Sequence, residues 1–163
     1  MFFLCSPMVH RTYYGLGGRD NAVSRFDELR PHARDLFLMQ GECEPFGPGY
    51  LAMGVAIDGL CTAAYHFTRR PHFYMDLDGL RRGGAGNGRL RDRAEAIKAF
   101  EALQPYAHRL VLLRGSCRPF GADYMALEIA RLYLETAAFH FTGIAHFYGA
   151  KGDSSGPVGP PRR

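Results

Sequence analysis

Displaced by 74 residues, this chain lies on itself without a gap. Phe26–Tyr74 superposes on Phe100–Tyr148, and about half of the aligned residues are identical. Three blocks carry most of the match. Gly41-x-Cys43-x-Pro45-Phe46-Gly47 answers Gly115-x-Cys117-x-Pro119-Phe120-Gly121. Thr62-Ala63-Ala64-x-His66-Phe67-Thr68 answers Thr136-Ala137-Ala138-x-His140-Phe141-Thr142, and His72-Phe73-Tyr74 answers His146-Phe147-Tyr148. A period of this length marks a supersecondary unit that must bury its apolar face against a neighbour. The repeat therefore constrains the fold more than any other feature.

Within each unit the apolar spacing is helical. Val23, Phe26, Leu29, Ala33, Leu36 and Met39 recur at three or four residues, as do Ile97, Phe100, Leu103, Ala107, Leu110 and Leu113. Pro31 and Pro105 interrupt both stripes at the same place. The stripe keeps its phase across the proline, which predicts one kinked helix rather than two. Asp20 or Asn21 and Asp92 are the expected N-caps, and Gly41 and Gly115 the expected C′ residues. After the Pro-Phe-Gly turn a second stripe runs through Tyr50, Met53, Ala56, Leu60, Ala63 and Phe67. Tyr124, Leu127, Ala130, Leu134, Ala137 and Phe141 match it. Identities concentrate on this stripe, whereas Ile57 faces Arg131 and Gly54 faces Glu128, as solvent positions left to drift. Gly143 and Pro71 end these helices.

The expectation is an all-α fold: an internally duplicated helical hairpin forming a four-helix, pseudo-two-fold bundle. Its parts are an N-terminal extension (1–20), repeat 1 (21–76), a Gly/Arg-rich linker (77–91), repeat 2 (92–148) and a disordered Gly/Pro-rich tail (149–163). Tyr14-Gly15-Leu16-Gly17-Gly18 echoes Tyr148-Gly149-Ala150-Lys151-Gly152, a short match hinting that the chain opens with the end of an ancestral unit. With 47% of its 163 residues hydrophobic, the chain can bury a sizeable core. No apolar run reaches the ~18–20 residues that cross a bilayer. The opening Met1-Phe2-Phe3-Leu4-Cys5 lacks a basic leader for secretion, so a cytoplasmic location is expected. Four cysteines without a dense pattern read as free thiols.

Three features recur in both units with chemistry in their side chains. Cys43 and Cys117 precede a helix N-terminus, where a thiol pKa can fall, although a buried structural thiol is the favoured reading. His66 with His72, and His140 with His146, have residue types suited to metal binding or proton transfer; C-terminal helix capping is the favoured alternative. Cys43 and His66 lie roughly 30 Å apart along one helix. Antiparallel packing of the units would instead bring Cys43 toward His140 and His146, and Cys117 toward His66 and His72. Two symmetric Cys/His sites for a transition metal would result. The aromatic cluster of Tyr65, Phe67, Phe73 and Tyr74 with their counterparts could cradle a haem, but such rings more often form core.

Catalytic signatures such as Gly-x-Ser-x-Gly, a Walker loop or His-Glu-x-x-His are absent, so an enzyme is not favoured. A net charge of +4 resides in Arg81, Arg82, Arg89 and Arg91 of the linker and in Arg162 and Arg163. Elsewhere basic residues alternate with carboxylates, which disfavours nucleic-acid binding. Three functions follow in order of preference: a non-enzymatic partner-binding or accessory protein with a protein partner, a metal- or haem-binding protein, and nucleic-acid binding through linker and tail.

Overall fold

A computed structural model describes residues 13–82 and 88–149. Among these residues there are six α-helices, two 3-10 helices and no strand. The helices are α1 (Arg19–Glu28), α2 (Arg30–Gly41), α3 (Pro48–Thr68), α4 (Arg93–Ala102), α5 (Gln104–Gly115) and α6 (Ala122–Thr142). Each bound of α4, α5 and α6 lies 74 residues beyond its counterpart in α1, α2 and α3. The 3-10 helices cover Met75–Arg81 and Arg89–Arg91.

The proline divides the first segment of each half instead of kinking it. Leu29 (φ −84°, ψ −5°) and Leu103 (φ −87°, ψ 2°) stand between the two pieces. Pro31 and Pro105 then occupy the first turns of α2 and α5, where no N–H is needed. A helix broken there frees a carbonyl upstream, and in both halves a tyrosine takes it. The Tyr74 hydroxyl donates to the Phe26 carbonyl at 2.6 Å, and Tyr148 donates to Phe100 at 2.7 Å. Both tyrosines are buried. The apolar phase still runs through the break, because Leu29 and Leu103 bury their side chains fully.

Other local expectations need correction. Gly18, not Asp20 or Asn21, is the N-cap of α1, while Asp92 does cap α4 by accepting from the Ala94 N–H at 3.0 Å. Gly41 and Gly115 close their helices, and neither has a left-handed conformation. Gly41 is needed for proximity instead, since a Cβ there would lie 2.8 Å from the Leu80 carbonyl oxygen. That contact belongs to the segment expected as a flexible linker. Its first residues belong to a 3-10 helix, Met75–Arg81, that begins in repeat 1 and lies against α2, with Leu77 buried and Arg81 stacked over the Phe37 ring at 4.7 Å. The tail expected to be disordered lies outside the described residues beyond Gly149, as does most of the second half of the Tyr14–Gly18 echo. At the offset of 74, the buried Leu16 corresponds instead to the buried Leu90.

The two long helices, α3 and α6, form the centre and run antiparallel. A Cβ on Gly49 would meet Phe141, one on Gly59 would meet Tyr133 and Ala130, and His66 meets Asp123. As one chain advances the other recedes. Ala56, Leu60 and Ala63 on α3 and Ala130, Leu134 and Ala137 on α6 are all buried at 1% exposure or less. α1 and α2 pack on α3, and α4 and α5 on α6. Two contacts join residues that are themselves 74 apart. Gly59 faces Tyr133, and the His32 ring stacks on Tyr106 at 5.7 Å.

At the first of these contacts, the missing side chain matters. A Cβ on Gly59 would approach Tyr133 Cδ2 to 2.9 Å and the Ala130 Cα to 3.2 Å. Gly59→Leu is expected to destabilise the protein by about 1–3 kcal/mol through overpacking. Tyr133→Ala should recover part of that loss, as a double-mutant cycle in urea will show. At the second contact, burial holds the His32 imidazole below its ordinary pKa, with Arg109 acting in the same sense and Asp35 against it. The unfolded chain then binds a proton that the folded one refuses. This term removes stability as pH falls from the unfolded value of about 6.5 toward the lowered folded one. His32→Phe should flatten that part of the curve of unfolding midpoint against pH.

Candidate functional site

Each half builds the same turn before its long helix. Gly47 N–H donates to the Glu44 carbonyl at 3.0 Å, and Gly121 N–H donates to Arg118 at 3.0 Å. Proline takes the second position and phenylalanine the third, where Phe46 and Phe120 both have φ of 60°. That left-handed position ordinarily favours glycine. Both rings are 81% exposed. Two strained, exposed phenylalanines at matched positions do nothing for the core.

The thiols behind these turns are bonded to backbone carbonyls of the preceding helices. Cys43 Sγ donates to the Met39 carbonyl at 3.4 Å, and Cys117 Sγ donates to Leu113 at 3.5 Å. Burial pushes the Cys43 thiol up to about 11, with Glu42 adding to the effect and Arg91 opposing it. Cys117 is likewise raised to about 11 by burial and then by Asp123, and Cys61 to about 11 by burial and then by Asp58.

The histidines divide into two kinds. His66 and His140 end α3 and α6, and each ring stands edge-on to the next phenylalanine at 4.9 Å and 88°. His66 Nε2 lies 2.7 Å from Asp123 Oδ1, across the interface between α3 and α6. His72 and His146 are exposed turn residues with φ of 57° and 54°, whose carbonyls accept from the Met75 and Gly149 N–H groups. Their turn sets the neighbouring rings: Phe73 packs edge-on against Phe26, and Phe147 against Phe100, both at 6.3 Å. Phe67 adds to this group at 5.7 Å from Phe26, so these aromatics fill the core. Tyr65 and Phe139 lie outside it, 48% and 54% exposed.

The antiparallel packing brings Cys43 and His140 to one cavity of about 310 Å³. Gly49, Arg91 and Phe141 are also in its walls, whereas His146 is not. At the opposite end, Asp123 stands between His66 and Cys117, bonded to the first and raising the pKa of the second. Among the described residues no group of three or more His, Cys, Asp or Glu is arranged to hold a metal ion. The linker arginines are engaged within the chain. Arg81 and Arg82 pair with Asp78 at 2.7 and 3.0 Å, Arg89 with Glu42 at 2.9 Å and Arg91 with Glu44 at 3.3 Å. Arg162 and Arg163 lie outside the described residues. No described helix is long and apolar enough to cross a membrane.

No protein-family model, curated protein or solved structure matches this chain.

The halves also differ. Gln40, Gly54, Ile57 and Cys61 become Arg114, Glu128, Arg131 and Glu135, a charged row on α5 and α6. Arg114 and Arg131 both bond Glu128, the latter at 2.6 Å, and the Tyr148 N–H donates to Glu135 at 3.0 Å. Burial alone would raise the Glu128 carboxyl, but its hydrogen bonds to Arg131 and Arg114 hold it below the usual value. The sequence did not single out Asp123 or Gly49, and two pairs of this row, Gly54 with Glu128 and Ile57 with Arg131, were expected as drifting solvent positions although Ile57 is buried. All three are visible as differences at aligned positions, but their meaning depends on which helix ends meet.

With thiols raised to about 11 from an ordinary 9.0, thiolate at neutral pH is about a hundredfold scarcer than in the open chain. Alkylation mapped to individual peptides should label Cys43, Cys61 and Cys117 far more slowly in the folded protein than in urea. Labelling of Cys43 at the unfolded rate would contradict a structural thiol.

Proposed function

We propose that this chain is an internally duplicated pair of helical hairpins with pseudo-two-fold symmetry, and that it works as a non-enzymatic partner-binding protein. One observation carries the reading. The outward stripes of α3 and α6 carry exposed apolar side chains, two pairs of them at matched positions, Leu51 with Met125 and Tyr65 with Phe139. Leu51 and Val55 on α3, and Met125 and Leu132 on α6, are exposed, and so are Tyr65 and Phe139 at the stripes' ends. They fall on the series 51, 55, 58, 62, 65 and its counterpart 74 residues on, one face of each helix.

A two-fold that exchanges antiparallel neighbours runs normal to their common plane. The reading therefore turns both stripes to the same side, as one continuous face. Scattered exposed apolar residues are ordinary, but a contiguous apolar surface marks an interaction site. Asp58 is the acidic residue on the α3 stripe, and its counterpart is Leu132, so the face is poor in charge, as the centre of a protein interface is. Exposed Phe46 and Phe120, retained in both halves against backbone strain of about 1–3 kcal/mol each, support the same reading. The equal treatment of both halves favours a partner that meets two equivalent helices at once.

Site-specific photo-crosslinking in cells tests this. A benzoylphenylalanine at Tyr65 or Phe139 should yield a discrete protein adduct, and the same probe at Arg34 or His108 should not. Leu51→Asp combined with Met125→Asp should abolish the adduct while helicity and Tm are retained. Adducts no stronger at Tyr65 and Phe139 than at the control positions would refute the proposal.

A further inference from the structure

We infer that the cavity between the start of α3 and the end of α6 is a binding site for the carboxylate of a small ligand, with His140 as its recognition residue. The template is inside the molecule. His66 and His140 hold the same place at the ends of α3 and α6, with the same ring geometry against Phe67 and Phe141. His66 meets a carboxylate, that of Asp123 in the first turn of α6, at 2.7 Å. The matching residue in the first turn of α3 is Gly49. Among the described residues no carboxylate stands against His140, and the cavity of about 310 Å³ opens where the Asp123 side chain has no counterpart. Its volume is at the small end of ligand pockets.

The surroundings suit an anion. Gly47 caps α3 without a side-chain hydrogen bond, so the Gly49 and Tyr50 amides of the first turn remain for a ligand, with the helix dipole behind them. With no side chain on Gly49, the Phe141 ring and the Cys43 thiol pack directly against that backbone, 3.1 Å and 3.5 Å from where a Cβ would stand. Two acidic residues also line the cavity, and each has its own cation: Glu42 bonds Arg89 at 2.9 Å and Glu44 bonds Arg91 at 3.3 Å. The Cys43 thiol donates to a backbone carbonyl and carries no charge that would repel an anion. Phe141 and Leu90 supply an apolar wall for the carbon skeleton of the ligand. The ligand class is therefore a small organic acid, presenting to His140 what Asp123 presents to His66. This inference is independent of the partner-binding face and uses only the correspondence of residues 74 apart.

The test is a titration of the full chain with sodium acetate and sodium benzoate at constant ionic strength, followed by NMR of backbone amides and histidine rings. Saturable shifts should appear at His140, Gly49 and Tyr50, and none at His66. His140→Ala, a change at an exposed position, should remove them with the fold intact. Gly49→Asp should remove them too, by supplying the carboxylate from the chain, and the His140 ring signals should then move toward those of His66. Absence of saturable shifts in the native chain, or binding unchanged in His140→Ala, would overturn the assignment. So would equal binding of inorganic phosphate, which would mark an unspecific anion site.

Discussion

The close approach of α3 and α6 at Gly59 is the contact on which the rest of the structure depends. Without a side chain at that point, the Tyr133 ring and the Ala130 backbone come within ordinary contact of α3. Small residues continue the seam, with Ala56 and Ala63 on one helix and Ala130 and Ala137 on the other, all fully buried. Because the helices run antiparallel, each helix start meets the other helix's end. That arrangement brings Asp123 to His66 and puts His140 and Gly49 in the wall of one cavity. It also holds α1 and α2 against α3, and α4 and α5 against α6, and among the described residues Leu51, Tyr65, Met125 and Phe139 of the long helices stay exposed. The tyrosine bonds to Phe26 and Phe100 then tie the end of each half back to its own proline break.

Much of this was legible in the sequence. The helical class and the core stripe of the long helices follow from periodicity and short connections, whereas the approach of Cys43 to His140 was expected only if the two units packed antiparallel. The proline break was harder to read. Phase continuity through Leu29 is the same for a kink and for two helices joined by a single residue, and the difference is made by a tyrosine 48 residues away in sequence. Gly41 was misread for a similar reason: a glycine at a helix end suggests a left-handed cap, whereas here the Leu80 backbone needs the space. The idea that the face away from the core drifts freely came from Ile57 against Arg131 and Gly54 against Glu128. Glu128 instead turns toward the short helices, accepting from Arg114 of α5 and from Arg131, and the outward stripe through Leu51, Val55 and Tyr65 is more uniform than these positions are. Periodicity cannot say which of two apolar stripes on a helix is covered.

The differences between the halves are as informative as the identities. A charged row of Arg114, Glu128, Arg131 and Glu135 replaces neutral residues on one side, while Asp123 replaces Gly49 on the other. The first change falls where the 3-10 helix Met75–Arg81 lies on α2 in the first half. The second pairs His66 with the Asp123 carboxylate and leaves His140 in the wall of a cavity. A difference of that kind is what the proposed partner face and the proposed carboxylate site would together require.

Residue-resolved native-state hydrogen exchange of the intact chain probes the central packing most directly. If α3 and α6 bury their matching stripes against each other as one unit, the amides from 56 to 64 and from 130 to 138 will be the slowest in the protein. They will then share one opening free energy and one denaturant dependence. Slow exchange in one long helix while the other opens separately at lower free energy would contradict that account.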